Sequence, residues 1–292
     1  MTAIAAVIVN YNAGDELQAA LASLAQTLEG REWEAVVVDN ASADGSAAFV
    51  AAFAPRVRLV ANPTNVGFGR GVNQGVAATA APLVLVMNPD CRLTPGAVAA
   101  LEGELARHPR CAVVGPRILD PDGAVQRSAR GDPDMLTGLF GRSTRLTRLF
   151  PSLAEATRNI VTADDLPAGE ASLAVDWVSG ACMLARRAAL AQVRGFDEGY
   201  FLYWEDADLC RRLRAAGWHV RYAPGATAVH TVGRSSRTAR AASIRAFHQS
   251  AYRYYITHVA TGPLDPRRPL ARAVLAARCR LRLLAAARQP SA

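Results

Sequence analysis

Residues 3–12 read AIAAVIVNYN, an apolar run that ends in three polar residues. A run of this length is typical of a central strand in a parallel sheet, because both faces of such a strand are buried. Leucines at helical spacing follow, and residues 34–40, 57–63 and 82–90 repeat the strand pattern with helical segments between them. The alternation predicts an α/β fold in which helices flank a mostly parallel sheet, as in the nucleotide-binding half of a Rossmann-like protein.

The alternation stops after about residue 123. Residues 128–170 are rich in Arg, Asp, Gly, Ser and Thr without a clean period, which predicts a long loop with a short helix around 134–149. From about residue 240 the chain is predicted to be helical. The organisation that follows is one domain over residues 1–238 and a helical extension over residues 239–292.

Composition narrows the possible partners. The chain has a net charge of +8, and its 33 basic residues are all arginine. A positive balance suits an anionic substrate, an anionic membrane face or nucleic acid. No nucleic-acid-binding motif is present, and the charge is concentrated in the tail, so nucleic acid is not expected. Five scattered cysteines and the absence of a signal-like N-terminus predict a cytoplasmic protein with reduced thiols.

Polar residues recur where the predicted strands end. They are Asn10, Tyr11 and Asn12, then Asp39, then the stretch from Asn65 to Phe68, and finally Asn88 and Asp90. One polar strand end is explained by turn chemistry alone. Four at one edge of a parallel sheet favour a binding site, because ligands bind beyond the carboxyl ends of such strands.

The glycines of residues 66–71, VGFGRG, do not match the dinucleotide fingerprint. Their spacing is G-x-G-x-G, and four residues separate them from the preceding strand. A nicotinamide enzyme is therefore disfavoured. The glycines are instead predicted to let the backbone approach a ligand whose negative charge faces the start of the next helix.

Acidic residues mark the start of a helix predicted over residues 206–216. Glu205, Asp206 and Asp208 follow an aromatic run in YFLYWEDADLC, residues 200–210. Carboxylates in a first turn complement the helix dipole without any catalytic purpose. They could equally face a substrate, and the residues alone leave both interpretations open.

Taken in order, seven segments resemble glycosyltransferase family 2, and the resemblance covers residues 3 to about 258. Within the family the chain is most similar to the rhamnosyltransferase-like branch that builds bacterial surface polysaccharides. The resemblance implies a GT-A fold, a sugar-nucleotide donor, a divalent metal (Mg²⁺ or Mn²⁺) and inversion at the anomeric carbon. The segments are VIVNYNAGDELQAALASL (7–24), VVVDNASADGS (36–46), NPTNVGFGRGVNQG (62–75), LVLVMNPD (83–90), WVSGACMLARR (177–187), GFDEGYFLYWEDADLCRRLRAAGW (195–218) and HTVGRSS (230–236).

The resemblance assigns a donor site. It implies that Tyr11 packs on the nucleotide base and that Asp39 accepts a hydrogen bond from it. Asp90 corresponds to the last residue of the family's D-x-D metal motif, which here begins with Asn88, and His230 corresponds to a position near the metal or diphosphate. The other predicted donor-binding residues are Asn10, Asn12, Asn65, Gly67, Phe68, Asn88 and Arg234.

The resemblance also assigns the chemistry at the acceptor. It implies that Asp206 is the general base, with Glu205 as the rival base or a ligand of the acceptor, and Asp208 is left to support the helix. Proton transfer late in the reaction tolerates a weakly basic carboxylate at a helix start. The predicted acceptor and sugar contacts are Trp177, Ser179, Gly180 and Trp204.

The tail carries an apolar stripe with arginines beside it. In residues 269–288 the stripe is Leu270, Val274, Ala277, Leu281 and Leu284. A basic amphipathic helix fits an anionic membrane surface, where lipid-linked acceptors are found. Docking of the same helix on the catalytic domain is the alternative.

The function predicted from the sequence is an inverting, metal-dependent glycosyltransferase. It would move a sugar, such as L-rhamnose, from a dTDP- or UDP-linked donor to a polyprenyl-linked saccharide acceptor at the inner face of the cytoplasmic membrane. A nucleotidyltransferase is one alternative, although the acidic residues 10–16, NYNAGDE, do not resemble its basic phosphate-gripping loop. A non-catalytic protein that binds sugar nucleotides or glycans is the other.

Overall fold

The computed structural model describes residues 3–132, 160–231 and 240–288. The helix predicted around 134–149 lies outside these ranges. The described strands are β1 (Ile4–Asn10), β2 (Trp33–Asp39), β3 (Val57–Ala61), β4 (Leu83–Met87), β5 (Cys91–Leu93), β6 (Cys111–Leu119), β7 (Val125–Gln126), β8 (Ala129–Arg130), β9 (Ile160–Val161), β10 (Leu173–Val175), β11 (Trp177–Val178), β12 (Cys182–Arg186) and β13 (His219–His230). The helices are α1 (Asp15–Thr27), α2 (Phe68–Ala77), α3 (Ala97–Arg107), α4 (Arg187–Gln192), α5 (Glu205–Ala215), α6 (Arg240–His258) and α7 (Arg267–Ala287), with short 3₁₀ helices at Ser46–Phe53 and Ala163–Asp165.

The main sheet of the described chain has the strand order β10-β13-β6-β12-β4-β1-β2-β3. The four strands β3, β2, β1 and β4 run parallel, and β6 is parallel to β13. Strand β12 is antiparallel to both β4 and β6 and joins these two parallel groups. The predicted mostly parallel α/β sheet is therefore confirmed, and a small second sheet, β11-β8-β9, lies beside it.

Strand β1 is buried on both faces, which explains its uninterrupted apolar sequence. Ile4 and Ile8 pack in the cluster that also holds the buried leucines of α1. Val7 and Val9 pack on the opposite side with Val72 of α2. The strand thus separates two hydrophobic layers, as expected for the centre of a three-layer α/β fold.

Strand register brings the polar strand ends to one edge. Asn10, the last residue of β1, pairs with Asp39, the last residue of β2. Asp39 in turn pairs with Ala61 at the end of β3. The segments beginning at Asn62 and Asn88 leave from the same edge, so the candidate site lies where the sheet topology predicts a ligand.

The tail is helical, as predicted, and forms two helices. Of the predicted stripe, Val274 packs against α6, whereas the leucines of the stripe do not. Ala271 and Leu275 are buried, in a cluster with Ala251 and Tyr255 of α6. The stripe residue Leu281 is 68% exposed. The small Ala271 lets α7 approach α6 closely, which an additional leucine would prevent.

Helix α6 contacts the segment around the start of α5 directly. The Ser250 hydroxyl donates to the carbonyl of Leu202 over 2.9 Å, and Arg253 binds Asp197 with its guanidinium. The division into residues 1–238 and 239–292 stays a prediction, since its boundary falls within residues 232–239, outside the described parts. Among the described helices, none is long and apolar enough to cross a bilayer.

Candidate active site

A buried amide and carboxylate join the ends of β1 and β2. Asn10 Nδ2 donates to Asp39 Oδ1 over 2.7 Å and also to the hydroxyl of Ser46 over 2.8 Å. The backbone N–H of Ser42 donates to Asp39 Oδ2 over 3.0 Å. Asp39 is only 6% exposed, so its carboxylate is held in one orientation while each oxygen keeps a further lone pair for a ligand N–H.

Asn12 forms hydrogen bonds to the loop after β2 through its backbone and its side-chain amide. Its N–H donates to Ser42 Oγ over 2.9 Å, and its Oδ1 accepts from the N–H of Ala43 over 2.8 Å. A positive φ of 51° places it in the left-handed region, which asparagine tolerates better than most residues. Tyr11 lies between Asn10 and Asn12 and is half-buried. Its role against a nucleotide base stays a prediction.

The glycine-rich loop is fixed against the aromatic run that precedes α5. Asn65 Oδ1 accepts from the N–H of Gly67 over 2.9 Å, and Asn40 Nδ2 donates to the carbonyl of Gly67 over 3.1 Å. The N–H of Phe68 donates to the carbonyl of Phe201 over 2.9 Å. Gly67 has a φ of 89°, and a Cβ there would lie 2.5 Å from the oxygen of Phe201. Only glycine permits this approach of two backbone segments.

Asp206 is anchored by two backbone N–H groups. Gly180 donates to its Oδ2 over 3.0 Å, and Ala207 donates to its Oδ1 over 2.8 Å. A Cβ on Gly180 would meet the ring of Phe68 at 3.2 Å and the Cβ of Asp206 at 3.6 Å. Gly180 therefore brings the glycine-rich loop and the proposed base close together. Neighbouring Ser179 braces this turn, because its Oγ accepts from the N–H of Ala181 over 3.3 Å.

Two consecutive left-handed residues precede the acidic helix. Tyr203 has a φ of 68° and Trp204 a φ of 72°. Non-glycine residues in this region cost about 1–3 kcal/mol each and persist where the surrounding packing imposes them. Here the Trp204 ring packs 5.2 Å from the ring of Tyr254 and 5.8 Å from that of Phe247, both on α6. The predicted acceptor residue Trp204 therefore links the start of α5 to the C-terminal helices.

Asn88, Asp90 and His230 meet at the edge where β4 ends and β13 ends. His230 Nε2 lies 3.1 Å from Asp90 Oδ1 and 3.2 Å from Asn88 Nδ2. Gln126 Nε2 donates to Asp120 Oδ1 and to the carbonyl of His230, each over 2.8 Å. Gln126 Oε1, 3.0 Å from His230 Nδ1, is then the acceptor of the Nδ1 proton.

This arrangement fits a hard divalent cation. In a neutral His230 with its proton on Nδ1, the Nε2 lone pair faces a carboxylate oxygen of Asp90, and a cation between these two atoms would be favourable. Adjacent ligands about 2.1 Å from an octahedral ion lie about 3.0 Å apart, close to the observed separation. Among the described residues, no group of three or more His, Cys, Asp or Glu side chains forms a metal site. A diphosphate and water would have to supply the remaining ligands.

Asn88 and Asp206 contact the same turn of the chain. The N–H of Asn88 donates to the carbonyl of Ala181 over 2.9 Å. Ala181 follows Gly180, which binds Asp206. The side chain of Asn88 then reaches His230. Asp90 and Asp206, 116 positions apart in the sequence, are thereby connected through one short backbone segment, and their meeting in a single pocket stays a prediction.

The three carboxylates of the acidic helix have different environments. Glu205 is 5% exposed, and burial together with the charge of Asp206 raises its pKa above the usual range. Its Oε2 is buried and has no hydrogen-bond partner among the described residues. For Asp208, burial raises the pKa, but His258 and Arg212 outweigh that effect and the pKa is lowered. The raised pKa favours the protonated form of Glu205 near neutral pH, whereas the lowered pKa of Asp208 favours its ionised form.

Trp177 lies in the small second sheet. Its Nε1 donates to the carbonyl of Gly131 over 3.0 Å, and the guanidinium of Arg130 lies 5.0 Å from the ring centre. One ring face is therefore occupied by Arg130, and a place in a sugar-binding wall stays a prediction. Arg234 lies outside the described residues.

Several residues of the site were not singled out from the sequence. Ser42 and Ser46 hold Asn10, and Gln126 sets the tautomer of His230. The serines follow a predicted strand end and could have been found there. Gln126 had no such signal, because it contacts a residue 104 positions away.

A mostly parallel α/β sheet with polar residues at the carboxyl ends of its strands has the architecture of the GT-A class of glycosyltransferases. Comparison with known families agrees, since the model described as glycosyl transferase family 2 matches residues 5–164. The chain belongs to glycosyl transferase family 2, and within it the chain is rhamnosyltransferase-like.

Two relatives show the similarity to rhamnosyltransferases. An N-acetylglucosaminyl-diphospho-decaprenol L-rhamnosyltransferase of Mycobacterium tuberculosis is 36% identical over 260 residues, which cover 84% of this chain and 81% of the relative. Rhamnosyltransferase WbbL of Escherichia coli is 41% identical over 80 residues, 27% of this chain and 30% of the relative.

Two solved structures establish the GT-A fold. The mannosyltransferase PcManGT of Pyrobaculum calidifontis, in complex with GDP-Man and Mn²⁺, has a TM-score of 0.56 at 19% identity and covers 99% of this chain and 76% of its own. GalNAc-T7 with UDP, GalNAc and Mn²⁺ has a TM-score of 0.62 at 13% identity and covers 94% of this chain and 55% of its own. The predicted GT-A fold is confirmed.

Proposed function

We propose that this glycosyltransferase inverts the anomeric carbon and transfers L-rhamnose from dTDP-L-rhamnose to a saccharide on a polyprenyl diphosphate. The observation that supports the proposal is a series of contacts between Asp206 and the Asp90–His230 pair. Asp206 accepts from the N–H of Gly180, and the next residue, Ala181, accepts from the N–H of Asn88. The side chain of Asn88 contacts His230, which contacts Asp90. The donor sugar and the lipid-linked acceptor are proposed from the M. tuberculosis relative, which is named for both. A UDP-linked donor is the second choice.

Asp206 acts as the general base. The acceptor hydroxyl oxygen forms a bond to the anomeric carbon, the bond from that carbon to the diphosphate oxygen breaks, and the hydroxyl proton passes to a carboxylate oxygen of Asp206. The N–H groups of Gly180 and Ala207 hold that carboxylate in place. Since attack comes from the face opposite the diphosphate, the product has the inverted configuration.

Glu205 is the poorer candidate for the base. Its raised pKa keeps it protonated near neutral pH, and a protonated carboxyl group cannot accept the acceptor's proton. A protonated Glu205 limits the negative charge beside Asp206.

Asp90 and His230 would hold the divalent ion together with the donor diphosphate. A bound Mg²⁺ or Mn²⁺ supplies neutralisation of the charge that develops on the leaving diphosphate. Gln126 keeps the Nε2 lone pair of His230 available by accepting the Nδ1 proton. At the same sheet edge, beyond the ends of β1 and β2, Tyr11 and Asp39 would bind the nucleotide base.

The test of this function is an assay of the purified chain with dTDP-L-rhamnose, UDP-sugars and a water-soluble short-chain analogue of an N-acetylglucosaminyl diphospholipid. We expect dTDP release that depends on the acceptor, and a rhamnoside product whose anomeric configuration, read by NMR, is opposite to that of the donor. A binder without activity would release no nucleoside diphosphate. A product that retains the donor configuration would contradict the role of Asp206.

Metal dependence is a separate expectation. Chelation with EDTA should lower transfer by about 100-fold or more, with recovery on adding Mn²⁺ or Mg²⁺, because leaving-group stabilisation is lost. The Asp90→Asn variant should show the same loss with no recovery. Titration of Mn²⁺ against the steady-state rate measures both effects. Full activity in EDTA would exclude the proposed metal role of Asp90 and His230.

The location that fits this acceptor is the inner face of the cytoplasmic membrane. A polyprenyl diphosphate keeps its lipid in the bilayer and presents its saccharide to the aqueous side. A peripheral position brings the enzyme to that saccharide without a spanning segment.

A further inference from the structure

Exposed leucines are concentrated on one segment of the described chain. Seven large apolar side chains are exposed in the described residues, and four of them belong to α7 or the turn before it. Exposed apolar side chains are normal when scattered, but a cluster marks an interaction surface. The four are Leu264 at 94%, Leu270 at 63%, Leu281 at 68% and Leu284 at 58% exposure.

The leucines of α7 share a single helix face. At about 100° per residue, Leu270, Leu281 and Leu284 fall within a sector of about 60°, and Ala277 lies between them. Ala271 and Leu275, which α6 covers, lie on a different face, and Val274 at the boundary between the two faces packs against the same cluster. Helix α7 therefore has one apolar face packed on the protein and a second that faces outward over about 21 Å.

The charged residues of α7 itself are all positive. Residues 267–288 contain seven arginines and no acidic residue. Arg280 and Arg288 are exposed, and the helix period places both on or close to the leucine face. Leucines on one face of a helix with arginines beside them are the composition of a helix that lies in the interface of an anionic bilayer. A second copy of the chain is a poorer occupant, because two such helices would bring like charges together.

Helices α6 and α7 are connected to the proposed acceptor side of the active site. Helix α7 packs on α6, and Phe247 and Tyr254 of α6 contact Trp204. Trp204 stands two residues before Asp206. A surface bound through α7 would therefore lie next to the helix that borders the base.

We propose that the outward face of α7, formed by Leu270, Ala277, Leu281 and Leu284 with Leu264 beside it, binds the surface of an anionic lipid bilayer. The leucines enter the boundary between headgroups and acyl chains, and the flanking arginines contact lipid phosphates. The purpose of this contact rests on the proposed function, since a lipid-linked acceptor is reached only at a membrane. The binding itself requires neither donor nor acceptor.

The test is co-sedimentation of the full-length chain with vesicles that contain no acceptor lipid. One set is phosphatidylcholine alone, and the other is an equimolar mixture with phosphatidylglycerol. We expect binding to the anionic vesicles, little binding to the neutral ones, and release by high salt. The combined variant Leu270→Ser, Leu281→Ser and Leu284→Ser should bind at least about tenfold more weakly, because its apolar insertion is lost.

The matched control is Leu59→Ser, since Leu59 is 44% exposed on β3, away from α7. Single serine variants of the three leucines should each weaken binding, and the Leu59 variant should bind as the wild type does. Equal binding by the wild type and the triple variant, or no binding to anionic vesicles, would overturn the proposal. A dimer in light scattering that the triple variant loses would overturn it in favour of a second copy.

A parallel assay of transfer to the short-chain acceptor, without vesicles, separates this proposal from the proposed function. Absence of transfer with intact vesicle binding would refute only the function. Normal transfer without vesicle binding would refute only the membrane surface. Thermal unfolding of each variant shows whether its fold is retained.

Discussion

The Asp206→Asn variant is expected to lose a factor of about 10²–10⁴ in kcat, the usual contribution of a positioned general base. The amide cannot take the acceptor proton. It can still accept one of the two backbone hydrogen bonds that Gly180 and Ala207 donate to the carboxylate. The fold and the donor affinity should therefore be nearly unchanged. Initial rates at saturating donor and acceptor measure the first quantity, and calorimetric titration with the donor measures the second.

Glu205→Gln is the comparison that separates the two rival bases. Because Glu205 is buried and its pKa is raised, the wild-type side chain is protonated near neutral pH, and glutamine resembles that form. We expect the loss in kcat to stay within about tenfold, since no proton transfer is removed. Undiminished turnover by Asp206→Asn, or a larger loss for Glu205→Gln, would reverse the assignment.

The Asp208→Asn variant is expected to lose about 3–5 kcal/mol in the free energy of unfolding, the usual result of breaking a buried ion pair. Asp208 is fully buried and accepts from His258 Nε2 and Arg212 Nε, each over 2.7 Å. Removing its charge leaves both donors facing a neutral amide. Urea unfolding at neutral pH measures the loss. Because these contacts tie α6 to α5, kcat should fall as well.

The pH dependence of this loss follows from the lowered pKa of Asp208. A carboxylate whose pKa is lower in the folded state stabilises the protein above its unfolded pKa of about 3.9. That stability is lost as the pH falls through the folded-state value. The difference in the free energy of unfolding between the wild type and Asp208→Asn should thus be fully present at pH 7 and shrink below about pH 4.

An exposed ion pair provides the control. Glu198 lies 3.1 Å from Arg70, and the two side chains are 46% and 56% exposed. Glu198→Gln should cost no more than about 1 kcal/mol, because water screens the charges. A similar loss in both variants would mean that burial gives Asp208 no special role.

Much of the fold could be predicted from local pattern. The apolar runs of β1, β2 and β4 have few alternatives, because a strand buried on both faces needs apolar residues throughout. Alternation with helices then restricts the topology to a mostly parallel sheet. The position of β12, antiparallel between β4 and β6, has no such signal, because its five residues could pair with any free edge.

The candidate site was predictable in part. Asn10, Asp39, Asn88 and Asp90 were found because each stands at a strand end, where the chain must turn and a ligand can bind. The residues that orient them were harder to find. Gln126 acts on His230 from 104 positions away, and no local pattern records such a pair.

By itself, the sequence determined the elements and their chemistry: buried strands, polar strand ends, acidic residues at the start of α5, and a basic helical tail. Those properties follow from side-chain polarity and spacing, which act over a few residues. The tertiary structure alone decided which groups meet and which face of α7 packs. Ala271 and Leu275 contact α6 while Leu281 faces outward. Both helix faces are apolar, so only the shape of the opposing helix could select between them.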